Sequence, residues 1–196
     1  MNFLAHIHLS GDHPKIMIGN FIGDFVKGRN LTDRFETEIA KGIELHRLID
    51  EFTDTHPVVQ LSKDRLRPKY RHYAGVIVDM FYDHYLAKNW EVHHHQNLHD
   101  YAESFYALTA EHEHILPLRV QNMLPYMISG NWLVNYGKTE GLHRALSGMA
   151  RRTPFESKME QAVADLVQDY KSYQEEFNLF FPELKQFANQ WIIENR

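Results

Sequence analysis

Three apolar segments of the sequence each carry two polar side chains four residues apart. The pairs are Asn20 with Asp24, His46 with Asp50, and Asp79 with Asp83. Residues at this spacing lie on one face of an α-helix, about 6 Å apart along its axis. Buried carboxylates repel one another and lose hydration, and a divalent cation relieves both costs. If the three faces converge, they form a metal-binding pocket; the alternative is that these residues form ordinary ion pairs or helix caps.

The residue types indicate which metals such a pocket would take. His46 and Asp50 combine imidazole with carboxylate, which suits Mn, Fe, Zn or Mg-like ions. His6 and His8 lie in an apolar opening segment, where a histidine hydrogen-bonded to the backbone is the ordinary alternative to a ligand. Of these two, His6 is the better ligand candidate.

Two other histidine patterns point to no site. Residues 93–95 are three consecutive histidines in a polar stretch, which predicts a solvated loop with weak adventitious metal binding. Glu-x-x-His pairs at 91–94 and 111–114 have the spacing of a di-iron bundle, but their surroundings are polar and lack its interior pattern.

Basic residues suggest where an acidic partner could bind. Five of them cluster around Pro68, namely Lys63, Arg65, Arg67, Lys69 and Arg71. A solvated face is the ordinary reading of a charge run, yet in a chain of net charge −5 such a patch can guide an acidic partner. Arg47 and Arg71 lie beside the acidic segments and are candidates to hold a phosphate. The negative net charge disfavours nucleic-acid binding through bulk charge.

The elements that must position these side chains are helices. Apolar residues recur at three- and four-residue steps in most segments, and strand-like alternation is missing. Gly and Pro punctuate the chain at, among others, Arg67-Pro68 and Phe181-Pro182, which predicts eight to ten helices with short connections. Gly19 and Gly23 would allow another backbone to approach closely. We therefore expect one compact all-α domain over residues 1–196.

Composition excludes several classes of protein. With 43% hydrophobic and 24% charged residues, the chain is globular and can bury a core. It has no cysteine, which removes disulfides, thiolate metal sites and cysteine nucleophiles. The sequence starts without the basic region of a signal peptide, and no 18 apolar residues run together. We expect a cytoplasmic protein without a membrane span.

Several motifs resemble the acyl carrier protein phosphodiesterase family, over nearly the whole chain. The specific ones are MNFLAH at 1–6, GNFIGDFVKG at 19–28, GIxLHRxIDxFTDxHP at 42–57, and GxIxDxxxDHxLA at 75–87. Arg71, WLxxY at 132–136, Arg151-Arg152 and FFPEL at 180–184 fit the same pattern.

The resemblance implies an all-α enzyme distantly related to the HD phosphohydrolases that needs a divalent cation, Mn²⁺ or Mg²⁺. Its reaction removes 4'-phosphopantetheine from holo-acyl carrier protein and leaves the apo-protein. HD enzymes carry adjacent His-Asp, whereas this sequence has Asp83-His84 in the reverse order and three residues between His46 and Asp50. The ligand set therefore stays open.

Together, the spacing and the resemblance give a set of candidate site residues. Metal ligands are expected among His6, Asp24, His46, Asp50, Asp79 and Asp83. Catalytic roles are expected among Asp24, His46, Asp50, Asp79, Asp83 and His84. Substrate contacts are expected from Asn20, Arg47 and Arg71. The alternatives are an HD-type phosphohydrolase of small nucleotides or phosphomonoesters, and a non-catalytic helical binding protein.

Overall fold

Helices make up the regular structure of this protein, as the apolar spacing predicts. The structure is a computed structural model and describes residues 1–195. Within that range there is no strand, and four short 3-10 turns accompany twelve α-helices. The helices are α1 (Phe3–His8), α2 (Pro14–Ile22), α3 (Thr37–Thr55), α4 (Pro57–Tyr70), α5 (Ala74–Lys88), α6 (Trp90–His93), α7 (Leu98–Glu111), α8 (Leu118–Ser129), α9 (Trp132–Asn135), α10 (Thr139–Arg152), α11 (Ala162–Gln168) and α12 (Tyr170–Asn195).

Helix α5 lies at the centre of the domain. It packs against α1, α4, α10 and α12, and from Met80 to Ala87 every side chain is buried. A helix that is apolar on nearly every side is stable only in such a position. Because α1 packs on α5, this helix supports the element that carries His6.

Helices α2 and α3 cross with their backbones in close contact at two glycines. A Cβ on Gly19 would lie 2.1 Å from the Ile39 carbonyl oxygen, and one on Gly42 would lie 2.2 Å from the Ile16 carbonyl oxygen. Only residues without a Cβ allow two backbones to approach this far. The crossing places Asn20 on α2 next to His46 on α3.

The expectation that the chain leaves or starts a helix at Pro68 and at Pro182 is wrong. Pro182 lies inside α12, which runs on for 13 residues beyond it, and Pro68 lies inside the last turn of α4. A proline costs one hydrogen bond and a ring clash inside a helix. In α12 this cost is offset by the burial of Phe177, Phe180 and Leu184 on one face. The four-residue helices α6 and α9 raise the number of helices within residues 1–195 above the expected eight to ten.

The predicted solvated loop at residues 93–95 is also wrong in part. His93 ends α6 and packs edge-on against Phe181, with 5.1 Å between the ring centroids. His94 stacks on Trp90 and lies beside the buried His8. Only His95 of the three is exposed. Aromatic neighbours from α12 and α1, which are distant in sequence, cover the other two.

None of the helices formed by residues 1–195 combines the length and the apolar character that a transmembrane helix requires.

The α2–α3 crossing makes a prediction about stability. Gly19→Ala or Gly42→Ala pushes backbone against backbone, so we expect each to lower the free energy of unfolding by about 3 kcal/mol or more. Gly148→Ala is the matched control, because a Cβ there meets only the Arg152 guanidinium at 3.6 Å. In a helix this change should stabilise by about 0.5–1 kcal/mol. Urea unfolding monitored by circular dichroism measures all three variants; equal stability of Gly19→Ala and Gly148→Ala would contradict the crossing.

Candidate metal centre

His6 from α1 and His46 from α3 form a stacked pair in the interior. Their ring centroids are 4.0 Å apart with 21° between the ring planes, and both side chains are buried. Gly23 makes room for this pair, since a Cβ on it would lie 2.2 Å from the His46 ring. The packing of α1, α2 and α3 thus brings together two histidines that are 40 positions apart in the sequence.

Two carboxylates face the same edges of these rings. Asp50 places one oxygen 3.2 Å from His6 Nε2 and the other 3.2 Å from His46 Nε2. Asp24, in the 3-10 turn after α2, lies 3.3 Å from His46 Nε2. The side chains of Asp50 and Asp24 are 40% and 64% exposed. The cluster is therefore closed on the histidine side and open to solvent on the carboxylate side.

Asn20 sets the orientation of both imidazoles. Its side-chain oxygen accepts a hydrogen bond from His6 Nδ1 at 2.8 Å, and its backbone oxygen accepts one from His46 Nδ1 at 2.8 Å. Because Nδ1 is the donor in each ring, the neutral tautomer leaves a lone pair on Nε2. Both lone pairs then point towards the carboxylates, and this arrangement is repulsive unless a proton or a metal ion lies between them.

The pKa values of His6, His46 and Asp50 also indicate that the cluster favours a bound positive charge. Burial lowers the pKa of His46, but its hydrogen bonds with Asp24 and Asp50 outweigh burial and raise that pKa to about 9. Burial and the neighbouring His46 charge lower the pKa of His6. Burial opposes ionisation of Asp50, yet the two histidines hold its pKa well below its usual value. In the absence of metal, His46 is therefore the histidine that carries a proton on both ring nitrogens at neutral pH.

The donor set fits a divalent cation. Ligand atoms of His6, His46 and Asp50 all lie within 4.8 Å of one another. Metal–ligand bonds of about 2.1 Å place neighbouring ligands about 3 Å apart and opposite ones about 4 Å apart. The observed 3.2 Å separations are close to the first value. Histidines whose Nδ1 is hydrogen-bonded to a protein oxygen are typical of metal sites.

Asn20 itself has no polar atom left for a substrate. Besides its bond to His6 Nδ1, its amide nitrogen donates to the His6 carbonyl at 2.8 Å and to Ser10 Oγ at 3.0 Å. Since the side chain is fully buried and makes three bonds within the protein, the expected substrate contact gives way to a positioning role.

Asp83 lies away from the histidines, contrary to the expected convergence of three faces. It is completely buried and accepts hydrogen bonds from the backbone nitrogens of Asn2, Leu4 and Ala5, at 2.8–3.3 Å. The first backbone N–H groups of a helix have no partner inside that helix. A carboxylate there satisfies them and interacts favourably with the helix dipole. Asp83 therefore caps α1 from across the core, which is the capping alternative considered above.

Asp79 also stabilises the amino-terminal segment, through an ion pair. Its carboxylate lies 2.9 Å from the Met1 amino group. Met1 is followed directly by Asn2, whose backbone nitrogen donates to Asp83, and the Met1 carbonyl oxygen lies 3.2 Å from His6 Nε2. Asp79 and Asp83 thus act on the histidine cluster through the segment that carries His6.

The remaining candidates lie around the cluster or apart from it. His84 is buried, with Nδ1 bonded to the Tyr136 carbonyl and Nε2 to the Tyr170 hydroxyl, and does not reach the cluster. Arg47 donates to the carbonyls of Val26 and Gly28 and so fixes the segment after Asp24. Arg71 is exposed at the turn between α4 and α5, and its guanidinium makes no hydrogen bond or ion pair with another residue in 1–195.

The basic cluster around Pro68 is largely neutralised by acidic neighbours. Lys63 pairs with Asp54 at 2.7 Å, Arg65 with Glu176 at 2.6 Å and Lys69 with Asp165 at 2.9 Å. Arg67 pairs with Asp64. The acidic partners come largely from α3, α11 and α12, so sequence proximity alone overestimates the positive charge of this surface.

Ser10 and the Met1 carbonyl are parts of the site that the sequence did not indicate. Ser10 accepts from Asn20 and donates to the His6 carbonyl at 2.9 Å. A serine four residues after His6, within an apolar segment, is the one local signal that could have found it.

An all-α domain that gathers two imidazoles and two carboxylates at one solvent-facing point has the donor set of a metal-assisted hydrolase. The comparisons with known proteins identify the family. A family model described as acyl carrier protein phosphodiesterase matches residues 1–184.

Curated relatives agree over nearly their full length. A Yersinia enterocolitica acyl carrier protein phosphodiesterase is 32% identical over 94% of this chain and 95% of its own. Relatives of the same name from Klebsiella pneumoniae and Escherichia coli are 32% and 30% identical, over 96% and 97% of this chain and 97% and 98% of their own. No solved structure matches significantly. This chain belongs to the acyl carrier protein phosphodiesterase family and is a phosphodiester hydrolase.

The role of Asn20 can be tested through metal affinity. Asn20→Ala frees the His6 ring to rotate and to change tautomer, so we expect Mn²⁺ affinity to fall about 10–100-fold. Calorimetric titration of Mn²⁺ into the folded variant measures the effect. Ser10→Ala is the control, because it leaves both bonds to the imidazoles in place and should change the affinity much less. Unchanged affinity in folded Asn20→Ala would contradict this role.

A second test concerns the pH dependence of stability. Burial raises the pKa of Asp83 from the ordinary range of an aspartate to about 7. Between these values the folded state keeps a proton that the unfolded state has lost, so stability falls as pH rises. Asp83→Asn removes this titration. Its destabilisation relative to the wild type should therefore be larger at about pH 5 than at about pH 8.

Chemical unfolding at both pH values measures this difference. Asp33→Asn makes the same chemical change at an exposed side chain and serves as the control. A penalty for Asp83→Asn that grows with pH would show that the buried carboxylate is held in its charged form.

Proposed function

We propose that this protein hydrolyses the phosphodiester between 4'-phosphopantetheine and the serine of holo-acyl carrier protein, using a bound Mn²⁺ or Mg²⁺ ion. The observation that supports it best is the convergence of His6 Nε2, His46 Nε2 and both Asp50 oxygens, with each Nδ1 held by Asn20. The names of the relatives point to the same substrate.

His6, His46 and Asp50 would hold the metal ion, with Asp24 at the solvent-facing edge. Imidazole and carboxylate donors without thiolates suit Mn²⁺, and a mainly oxygen shell completed by water suits Mg²⁺. The bound ion would lower the pKa of a water molecule and neutralise charge on the phosphoryl oxygens.

The side chains have separate tasks in this reaction. The hydrogen bond from His46 holds the pKa of Asp24 below its usual value, so this exposed carboxylate is ionised at neutral pH. It can accept a hydrogen bond from the attacking water and orient it towards phosphorus. Arg47 keeps the segment after Asp24 in place through the Val26 and Gly28 carbonyls. Asn20 keeps both Nε2 lone pairs directed at one point.

The bonds exchanged follow from the substrate. The water oxygen attacks phosphorus, and the bond between phosphorus and the serine oxygen breaks. The serine oxygen takes up a proton, which leaves apo-acyl carrier protein and free 4'-phosphopantetheine. Asp24 would receive the proton that the water loses and would pass it on to the serine oxygen.

Mass spectrometry of holo-acyl carrier protein tests the reaction. We expect incubation with this protein and Mn²⁺ to remove the phosphopantetheine mass, and EDTA to prevent the loss. His46→Gln and Asp50→Asn should each lower kcat/KM by at least about 100-fold, because even residues behind the ligands contribute 10–100-fold. His99→Gln is the matched control in an exposed His–Asp–Glu group.

Other outcomes would redirect the proposal. An unchanged carrier mass together with metal-dependent hydrolysis of nucleotides or phosphomonoesters would select the small-substrate phosphohydrolase. Full activity of His46→Gln would remove the cluster from the reaction. Hydrolysis that is equally fast with EDTA would exclude the metal ion.

A further inference from the structure

Residues 26–35, which follow Asp24 and lead to α3, form a basic segment beside the open side of the histidine cluster. This basic segment contains three cationic residues, Lys27, Arg29 and Arg34, and one acid, Asp33. All four of these side chains are exposed. The whole chain has a net charge of −5, so the basic segment carries a charge opposite to that of the molecule.

Two arginines hold the backbone of the basic segment in one shape. Arg47 on α3 donates to the carbonyls of Val26 and Gly28, at 3.1 and 2.9 Å. Arg34 donates to the Lys27 carbonyl at 2.9 Å. Three consecutive carbonyls are thus bonded, and Gly28 has a φ of 97°, which a glycine adopts without strain. A segment that is ordered in advance loses less conformational entropy when a partner binds.

The side chains of Lys27 and Arg29 are available to a partner. Both are exposed, and neither side chain makes a hydrogen bond or an ion pair with another residue in 1–195. The basic residues of α4 differ in this respect, because Lys63, Arg65 and Lys69 are paired with acids. Unpaired positive charge therefore lies on the basic segment, next to the candidate metal centre.

The basic segment lies within the area that a protein substrate covers. A residue adds at most about 3.6 Å of backbone, so the Cα atoms of Lys27 and Arg29 lie within about 11 and 18 Å of that of Asp24. The turn in which the Val26 nitrogen donates to the Gly23 carbonyl shortens both distances.

The proposed substrate presents its scissile bond on the surface of a folded protein, at a serine. When phosphorus is at the cluster, the surface around that serine must lie against the opening at Asp24. A typical protein–protein interface buries about 800 Å² on each partner, which is a patch roughly 30 Å across. A patch of this size around Asp24 includes Lys27 and extends to Arg29.

We propose that Lys27 and Arg29 form a docking surface for an acidic face of the carrier protein, next to its modified serine. This inference rests on the proposed function. A basic face opposite these two cations would repel them, whereas an acidic face is attracted before contact and is oriented with its serine towards Asp24. The metal centre breaks the bond, and the basic segment selects a protein as the substrate.

The double substitution Lys27→Glu with Arg29→Glu tests this surface. Both side chains are exposed and lack partners, so the fold does not depend on them. We expect KM for holo-acyl carrier protein to rise at least about ten-fold while kcat changes less than about two-fold, because charges at the rim of an interface act on association. Calorimetric titration with apo-acyl carrier protein, which lacks the arm, should show a similar loss of affinity.

A matched control reverses two other exposed cations that have no ion pair within residues 1–195. Arg119 is on α8, and Lys138 immediately precedes α10; both helices pack against α9. Arg119→Glu with Lys138→Glu makes the same change in net charge and should leave both KM and the affinity for apo-acyl carrier protein within about two-fold of the wild type. Equal effects of the two double substitutions would overturn the docking surface.

Ionic strength provides a second test of the same surface. Raising NaCl from about 0.05 M to about 0.5 M screens attraction between exposed charges. It should therefore weaken the binding of apo-acyl carrier protein to the wild type more than its binding to the Lys27→Glu, Arg29→Glu protein. An equal effect of salt on both proteins would contradict the inference.

The outcomes separate this inference from the proposed function. If the wild type hydrolyses holo-acyl carrier protein and Lys27→Glu with Arg29→Glu leaves KM unchanged, the docking surface is wrong and the proposed function stands. If the wild type binds apo-acyl carrier protein through these residues but leaves the holo-protein intact with Mn²⁺, the proposed reaction fails and the docking surface stands. If the double substitution abolishes binding to phosphatidylglycerol vesicles but not to the carrier protein, the partner is a membrane and the inference is overturned.

Discussion

The hydrogen bonds of Asn20 are the interaction on which the histidine cluster depends. The side-chain oxygen holds His6, and the backbone oxygen of the same residue holds His46, so a single residue fixes two rings from different helices. Asn20 can reach both because its neighbour Gly19 lets α2 lie directly on α3. The close crossing of α2 and α3 therefore determines the direction of the Nε2 lone pairs of His6 and His46. The geometry of the candidate metal site thus depends on backbone packing at Gly19, the residue next to Asn20.

The segment bearing His6 is held by buried charge rather than by apolar packing alone. α1 has only six residues, far too few to be stable by its own hydrogen bonds. Asp83 satisfies the free N–H groups at its start, and Asp79 pairs with the Met1 amino group. Two carboxylates of α5, expected as ligands, instead secure the element that carries a ligand candidate. This explains why a buried pair at helical spacing is no reliable sign of metal binding by itself.

The sequence predicted the fold class, the helical placement of the polar pairs and the membership of the family, and it could not predict which faces meet. A spacing of four residues puts Asp79 and Asp83 on one helix face, just as it puts His46 and Asp50 on one helix face. Only the orientation of α5 decides that the first pair faces the amino terminus. Lys63 and Arg65 show the same limit, since their acidic partners are distant in sequence or on another helix. Pro182 shows that tertiary burial can override a local helix-breaking signal.

The two carboxylates of the histidine cluster have no lysine or arginine partner within residues 1–195, whereas the basic residues of α4 are paired with acids. Negative groups gather where a cation is needed, at Asp24 and Asp50, and the basic residues of α4 are neutralised. A phosphodiester brought to the open side of the cluster would meet these carboxylates directly, so its approach depends on positive charge from a proton on His46 or from a bound cation.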